Sequence, residues 1–237
     1  MRCARVDGAI AEQMRISGSA DVGIALTDPS LGGTQEEEAM RELILAMAMT
    51  LDGFVSGPEG ETDWIFTGDE EAIAWKVENA WNAGLHIMGS RTFEGMARFW
   101  PTSTNVFAPA MNQIPKAVFS KKGAAILPKA IDAAPSGEPQ PGADSWSTAY
   151  VASGDLAEEI TRLKAEDGKP IIAHGGATFA RSLIAHDLVD QYMLMVYPLA
   201  LGRGQPIFSD LAQPRQLQLV STRVFPKGAI AQVYRRA

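Results

Sequence analysis

Between residues 43 and 49 the chain reads Leu-Ile-Leu-Ala-Met-Ala-Met without a polar interruption, the pattern of a strand covered on both faces in a mostly parallel sheet. Residues 85–88, 114–120, 150–152 and 170–174 read as further strands, the first of them closing on Gly89. Between them the period becomes helical. Thr67-x-x-Glu70 has capping-box spacing, and Ile73, Val77, Ala80 and Trp81 then fall on one side of a helix that stops at Gly84. A short helix opens at Ser90-Arg91-Thr92 and runs towards Trp100-Pro101. Asp155-x-x-Glu158 caps a helix with Leu156, Ile160 and Leu163 on one side and Gly168 at its end, and Ala177-Thr178-Phe179 begins another with Phe179 and Leu183 inward. The end differs in kind: residues 191–197 read as a strand, and residues 217–225 and 229–235 flank Pro226-Lys227-Gly228 as a hairpin. This order predicts an α/β fold, a mostly parallel central sheet flanked by helices with a C-terminal antiparallel hairpin.

The connecting segments add to this outline. Residues 57–69, with Gly57-Pro58, Gly60 and Trp64, make a loop long enough to close over a site. Residues 128–144 are dense in Pro, Gly and Ala, which predicts an irregular surface excursion but no domain boundary. Residues 1–39 show no sustained period and end in the acidic run Glu36-Glu37-Glu38, so they read as a flexible N-terminal extension without catalytic role. The expectation is one folded domain over residues 40–237, starting at Met40.

Composition narrows the function classes. At 46% hydrophobic and 21% charged residues the chain has ordinary globular composition, sufficient for a well-filled core. No apolar run approaches the ~20 residues that span a bilayer, and the start lacks the basic-then-apolar order of a secretory signal, so the expectation is a cytoplasmic protein with no membrane partner. A net charge of −7 argues against nucleic acid as a partner. The charge is uneven, because residues 1–39 hold Arg2, Arg5 and Arg15 against seven acids, and a local basic pocket in the remainder stays open. The single cysteine, Cys3, excludes a disulfide framework and a cysteine-based metal site. His86, His174 and His186 are dispersed along the sequence, and no metal is assigned.

The candidate chemistry lies at strand ends. In Met88-Gly89-Ser90-Arg91-Thr92 a buried strand closes on glycine and a helix opens with small polar residues and an arginine; unpaired N–H groups and the helix dipole make such a start a phosphate cradle, or plain structural punctuation. His174-Gly175-Gly176-Ala177-Thr178 repeats the arrangement, with glycines that let backbone approach a pyrophosphate where a Cβ would collide. The spacing is not G-x-G-x-x-G, which disfavours a Rossmann fold. Ser120-Lys121-Lys122 reads either as a second phosphate contact or as a solvated turn. Asp52, in Thr50-Leu51-Asp52-Gly53, reads either as a turn aspartate or as a carboxylate placed for chemistry at the end of a buried strand. Met47, Met49, Trp75 and Trp81 read as core packing.

Taken with Leu188-Val189-Asp190, Pro198 and Gly202-x-Gly204, these segments resemble the dihydrofolate-reductase-like superfamily, and within it most of all the carboxy-terminal reductase domain of the bifunctional riboflavin-biosynthesis deaminase/reductase, over roughly Met40 to Arg236. The resemblance implies NADPH as hydride donor. It implies that Gly89, Ser90, Arg91 and Thr92 hold the 2′-phosphate side and adjacent phosphates, with Ser120 near the adenosine. Gly175, Gly176, Ala177 and Thr178 would cradle the pyrophosphate, and Ala48 and Thr50 would lie near the nicotinamide. Asp52 would sit where substrate and nicotinamide meet, for a proton step or to anchor a polar heterocycle. The implied activity is reduction of a small polar ring of pyrimidine or pterin type. Reduction of the riboflavin-pathway 5-amino-6-ribosylaminouracil phosphate, with Arg203 as candidate phosphate ligand, and NADPH binding without turnover stand as alternatives. A homodimer is also implied, the terminal hairpin offering edge strands. Two departures matter. Dihydrofolate reductases grip the pteridine with a carboxylate on the helix before the Met-Gly-Arg segment, whereas that face here presents Ile73 and Val77, with Glu70 and Glu71 one turn earlier. A zinc deaminase half cannot exist with one cysteine.

Overall fold

The computed structural model describes residues 40–128 and 137–237; the expected flexible extension, residues 1–39, and part of the expected surface excursion, residues 129–136, lie outside the described residues. The strands are β1 (Leu43–Thr50), β2 (Phe54–Ser56), β3 (Leu85–Gly89), β4 (Lys116–Phe119), β5 (Tyr150–Ala152), β6 (Ile171–Ala173), β7 (Gln191–Tyr197), β8 (Gln205–Pro206), β9 (Leu217–Val224) and β10 (Ile230–Arg236). The helices are α1 (Glu70–Trp81), α2 (Ser90–Phe99), α3 (Ala108–Gln113), α4 (Leu156–Lys164) and α5 (Ala177–Ala185). Eight strands form one sheet in the order β5-β4-β3-β6-β1-β7-β10-β9. Every pair from β5 to β7 is parallel, and β10 runs antiparallel to both β7 and β9. Among the described residues no helix is long and apolar enough to cross a membrane.

The unbroken apolar run of β1 is explained by its place between β6 and β7, with side chains buried on both faces. Leu43, Leu45 and Met49 point to one side, where they meet Ile160 and Leu163 of α4 and Ala180 and Leu183 of α5. Ile44 points to the other, with Ala80 of α1, Ala110 of α3 and Met193 of β7. On that second side Phe93 of α2 packs with Met88, Met111 and Trp146. Helices α1 to α3 thus cover one face and α4 and α5 the other.

Several expectations change in detail. Helix α1 is capped by Asp69 rather than by the Thr67 box: its carboxylate accepts from Ala72 N at 3.2 Å and, across the fold, from Lys227 N at 2.8 Å. A cap that also closes the hairpin turn outcompetes a local one. The later start turns the helix, so Ala72 and Ala80 are its buried residues while Ile73 and Val77 are half-buried and Trp81 remains 38% exposed. Strand β4 begins only at Lys116, because Pro115 has no N–H to give a ladder. The end of the supposed surface excursion is anchored inward: Trp146 is fully buried and its Nε1 donates to Asn112 Oδ1 at 2.9 Å. Helix α3 and the small β2–β8 pair have no counterpart in the sequence reading.

Asp69 yields a test. Hydrogen bonds from Lys227 N and then Ala72 N hold its carboxyl below the ordinary value. A folded-state value below the unfolded one supplies stability above about pH 4, which is lost as pH falls through the folded value. Asp69→Ala is therefore expected to lower the melting temperature by a few degrees at pH 7, with the gap from the parent protein narrowing at pH 3 in parallel thermal melts.

Candidate active site

Strands β3, β6 and β1 are parallel neighbours, so the turns at their carboxyl ends emerge side by side along one edge of the sheet. The turn after β3 becomes the start of α2 and the turn after β6 the start of α5. They are joined directly. Gly176 N donates to Thr92 Oγ1 at 2.8 Å, and Gly89 N donates to Gly175 O at 3.4 Å. Gly89, Ser90, Arg91 and Thr92 therefore meet Gly175, Gly176, Ala177 and Thr178 in one cradle, with the Arg91 and Thr178 side chains exposed.

The glycines there are required by space. Gly175 has φ +82°, and a Cβ on it would lie 2.5 Å from Met47 Sδ. A Cβ on Gly176 would stand 2.9 Å from Thr92 Oγ1. Ser120 is buried at the end of β4, the next strand outward, and its Oγ accepts from Lys122 N at 3.1 Å. Lys122 itself pairs with Glu94 at 2.6 Å on the surface, which is the solvated-turn reading of that segment.

A cavity of about 560 Å³ lies beside the cradle, between the sheet and α1 to α3. Ala46, Ala48, Met193 and Met195 form its floor, and Trp75, Phe99, Trp100 and Phe107 stand around it. Trp75 thus both packs in the core and faces the cavity. The sequence reading did not single out Lys76, which reaches the cavity from α1. Its Nζ donates to Tyr197 Oη at 3.2 Å and lies 5.8 Å from the Phe107 ring centre. Burial lowers the Lys76 pKa, partly opposed by the charge of Asp69. One signal was available in the sequence: Lys76 falls four residues after Ala72 and four before Ala80, within a small-residue stripe.

Of the other expected residues, Ala48 lies on the cavity floor and Thr50 is buried at the end of β1. Thr50 Oγ1 accepts from Phe54 N at 3.1 Å and donates to Asp52 Oδ1 at 2.6 Å. Asp52 is exposed and stands outside the cavity wall, and its Oδ2 accepts from Gly202 N at 2.7 Å. The Thr50 hydroxyl and then the Gly202 amide hold its carboxyl below the usual range. At neutral pH Asp52 is an acceptor and not an acid. Arg203 lies in the same exposed loop, also outside the wall.

The histidines are dispersed in sequence but not in space. His86 and His174 stack edge to face with ring centres 4.4 Å apart. Burial pushes His86 well below its ordinary value, with the neighbouring His174 and Lys116 acting in the same direction. Burial and then Lys116 bring His174 down to about 4, so it lines the cavity as a neutral ring at pH 7.

Comparison with known proteins agrees with this architecture. Residues 41–231 match the RibD C-terminal domain family. The chain is 30% identical over 194 residues to the uncharacterized Bacillus subtilis protein YyaP, covering 82% of this chain and 94% of that one. Its fold is similar to a pyrimidine reductase-like protein of Corynebacterium diphtheriae, with a TM-score of 0.57 and 17% identity over 83% of this chain and 92% of that one. It is also similar to Enterococcus faecalis dihydrofolate reductase complexed with NADP(H), with a TM-score of 0.50 and 16% identity over 82% of this chain and 96% of that one. The fold is thus dihydrofolate-reductase-like, as the sequence resemblance implies.

Two glycine replacements separate cradle from helix. Gly175→Ala forces a side chain into positive φ against Met47 and is expected to lose about 1–2 kcal/mol of stability in urea unfolding. Gly95→Ala, inside α2 with no atom within 4 Å of the added Cβ, is expected to gain about 0.5–1 kcal/mol. Equal losses at both positions would refute the spatial argument.

Proposed function

The chain belongs to the RibD C-terminal domain family, and from that premise we propose that it is an oxidoreductase that uses NADPH to reduce a small ring-containing substrate of pyrimidine or pterin type. The observation that carries this reading is the junction of two helix starts through Gly176 and Thr92, beside a largely apolar cavity. A dinucleotide has two phosphates close together, and two adjacent helix N-termini with glycine-lined backbone suit them.

In this reading Gly175, Gly176, Ala177 and Thr178 cradle the pyrophosphate. Gly89, Ser90, Arg91 and Thr92 take the 2′-phosphate side and adjacent phosphates, Ser120 lies near the adenosine, and Ala48 and Thr50 lie near the nicotinamide. When bound, NADPH supplies the hydride. The chain's own work is to orient and to exclude water. Ala48 leaves room for a flat ring on the strand, beside the aromatic wall of the cavity. Asp52, held as an acceptor by Thr50 and Gly202, orients a polar ring edge or a water at the end of β1.

Reduction of the riboflavin-pathway phosphate ester would require cations for the phosphate dianion, and among the described residues lining the cavity Lys76 is the one lysine or arginine. That lining favours an unphosphorylated substrate. For assembly we propose a homodimer formed along β9, the edge strand of the sheet, where Leu219, Val220 and Val224 are exposed.

Titration of nicotinamide fluorescence is expected to give tighter binding of NADPH than of NADH. Arg91→Ala is expected to reduce that preference by about tenfold, as loss of a charge-assisted phosphate contact does. Binding of neither nucleotide would refute the reading. Asp52→Asn is expected to lower turnover by about tenfold or more while cofactor affinity holds; a protein that binds NADPH but turns over no ring compound is a binder only. Light scattering is expected to return the dimer mass, and a monomer would end the proposal for β9.

A further inference from the structure

The cavity beside the cradle is walled largely by apolar atoms, and its few polar groups define what it can hold. Flat rings such as Trp75, Trp100 and Phe107 and the polarizable sulfurs of Met193 and Met195 accept a planar molecule by its faces. Among the described residues no arginine lines the wall, and with His174 neutral the one cation there is Lys76. Tyr197 donates its own hydroxyl hydrogen to Ile65 O at 3.1 Å, so its oxygen accepts from Lys76. That leaves two of the three ammonium hydrogens of Lys76 without an acceptor among the described residues. Trp100 Nε1 and His174 Nε2 are also sealed from solvent with no partner. The carboxylate in the wall, Asp69, is committed to Ala72 N and Lys227 N.

At Lys76 this wall offers hydrogens where a pterin's amino edge would require an acceptor; the side-chain acceptors in the wall lie elsewhere, on Thr67, on Asn105, whose Oδ1 is committed to Phe107 N, and on Asn79, whose amide nitrogen donates to Trp75 O. It also offers little to a phosphate dianion, which would face a single desolvated ammonium with Asp69 nearby. Outside the wall, the ammonium of Lys227 is engaged at the rim by Thr67 O at 2.7 Å.

We infer that the cavity takes an unphosphorylated planar heterocycle bearing ring carbonyls, seated face-on against the aromatic and methionine wall with a carbonyl oxygen towards Lys76 Nζ, and that Lys76 sets this specificity. Naming the occupant a substrate rests on the reductase reading; the cavity chemistry does not. Lys76 is a positioning residue here and carries no proton or hydride step.

The test uses the full chain and the quenching of tryptophan fluorescence, since Trp75 and Trp100 line the cavity. Lumazine, a dioxopteridine, is expected to bind about tenfold or more tightly than pterin, its 2-amino-4-oxo counterpart. Uridine 5′-monophosphate is expected to bind no better than uridine. Lys76→Met is expected to remove the lumazine preference, and Lys76→Arg to retain part of it; thermal melts establish that each variant is folded, and the comparison of ligands on the parent protein stands whether or not they are. Pterin binding as tightly as lumazine, a gain from the phosphate, or an unchanged preference in a folded Lys76→Met would overturn the inference. So would the failure of both rings to bind in a protein that binds NADPH. Ring binding with the expected preference in a protein that binds no NADPH would uphold the cavity chemistry and remove the reductase reading.

Discussion

The parallel adjacency of β3 and β6 is the constraint on which the site depends. Two parallel strands end on the same edge, so the helices that follow must start there together, each with unpaired N–H groups and partial positive charge. Bringing two such ends together is unfavourable unless something negative or hydrogen-accepting lies between them. Thr92 meets part of that need by accepting from Gly176 N across the junction. Neither helix start has a side-chain cap of its own, and an anion at the junction would relieve the repulsion that the topology creates. The glycines follow from the same crowding, because side chains at 175 and 176 would strike Met47 and Thr92.

How much of this was legible depends on the range over which each feature is decided. The central strands were readable because burial on both faces requires unbroken apolar runs, and the glycine junctions were readable because only glycine fits them. The cap of α1 was misread because Thr67-x-x-Glu70 is a local pattern, whereas Asp69 also answers a backbone N–H of the hairpin far along the chain. The face of α1 was misread for the same reason, since its phase follows its cap and its neighbours. Lys76 was passed over because a lysine within a helix reads as solvated until the sheet opposite is known. The meeting of His86 with His174 is set by strand order, which no local spacing encodes.

The basic groups near the cavity are kept from charging it. Lys116 pairs in register with His86 and is fully buried, and its Nζ is spent on the carbonyls of Asn112 and Ile114 and on Ser145 Oγ. Burial brings Lys116 down to about 7 and His174 to about 4. His86 and His174 are thereby uncharged at neutral pH, and Lys116, half protonated there, is held back from the cavity by its own acceptors. The field inside the cavity is then dominated by Lys76 and by the carboxylate of Asp69, both in its wall.

That division of labour makes Asp69 more than a cap. Its carboxylate fixes where α1 begins and ties that start to the turn between β9 and β10. Once the start is fixed, the helical period sends Ala72, Trp75, Lys76, Asn79 and Ala80 towards the cavity. A shift of one residue in the start would turn the helix by about 100° and carry Lys76 out of the wall. The terminal hairpin, whose strand β10 pairs with Met193 and Met195 of the cavity floor, therefore also determines through one buried carboxylate which side chain of α1 the cavity presents to its occupant.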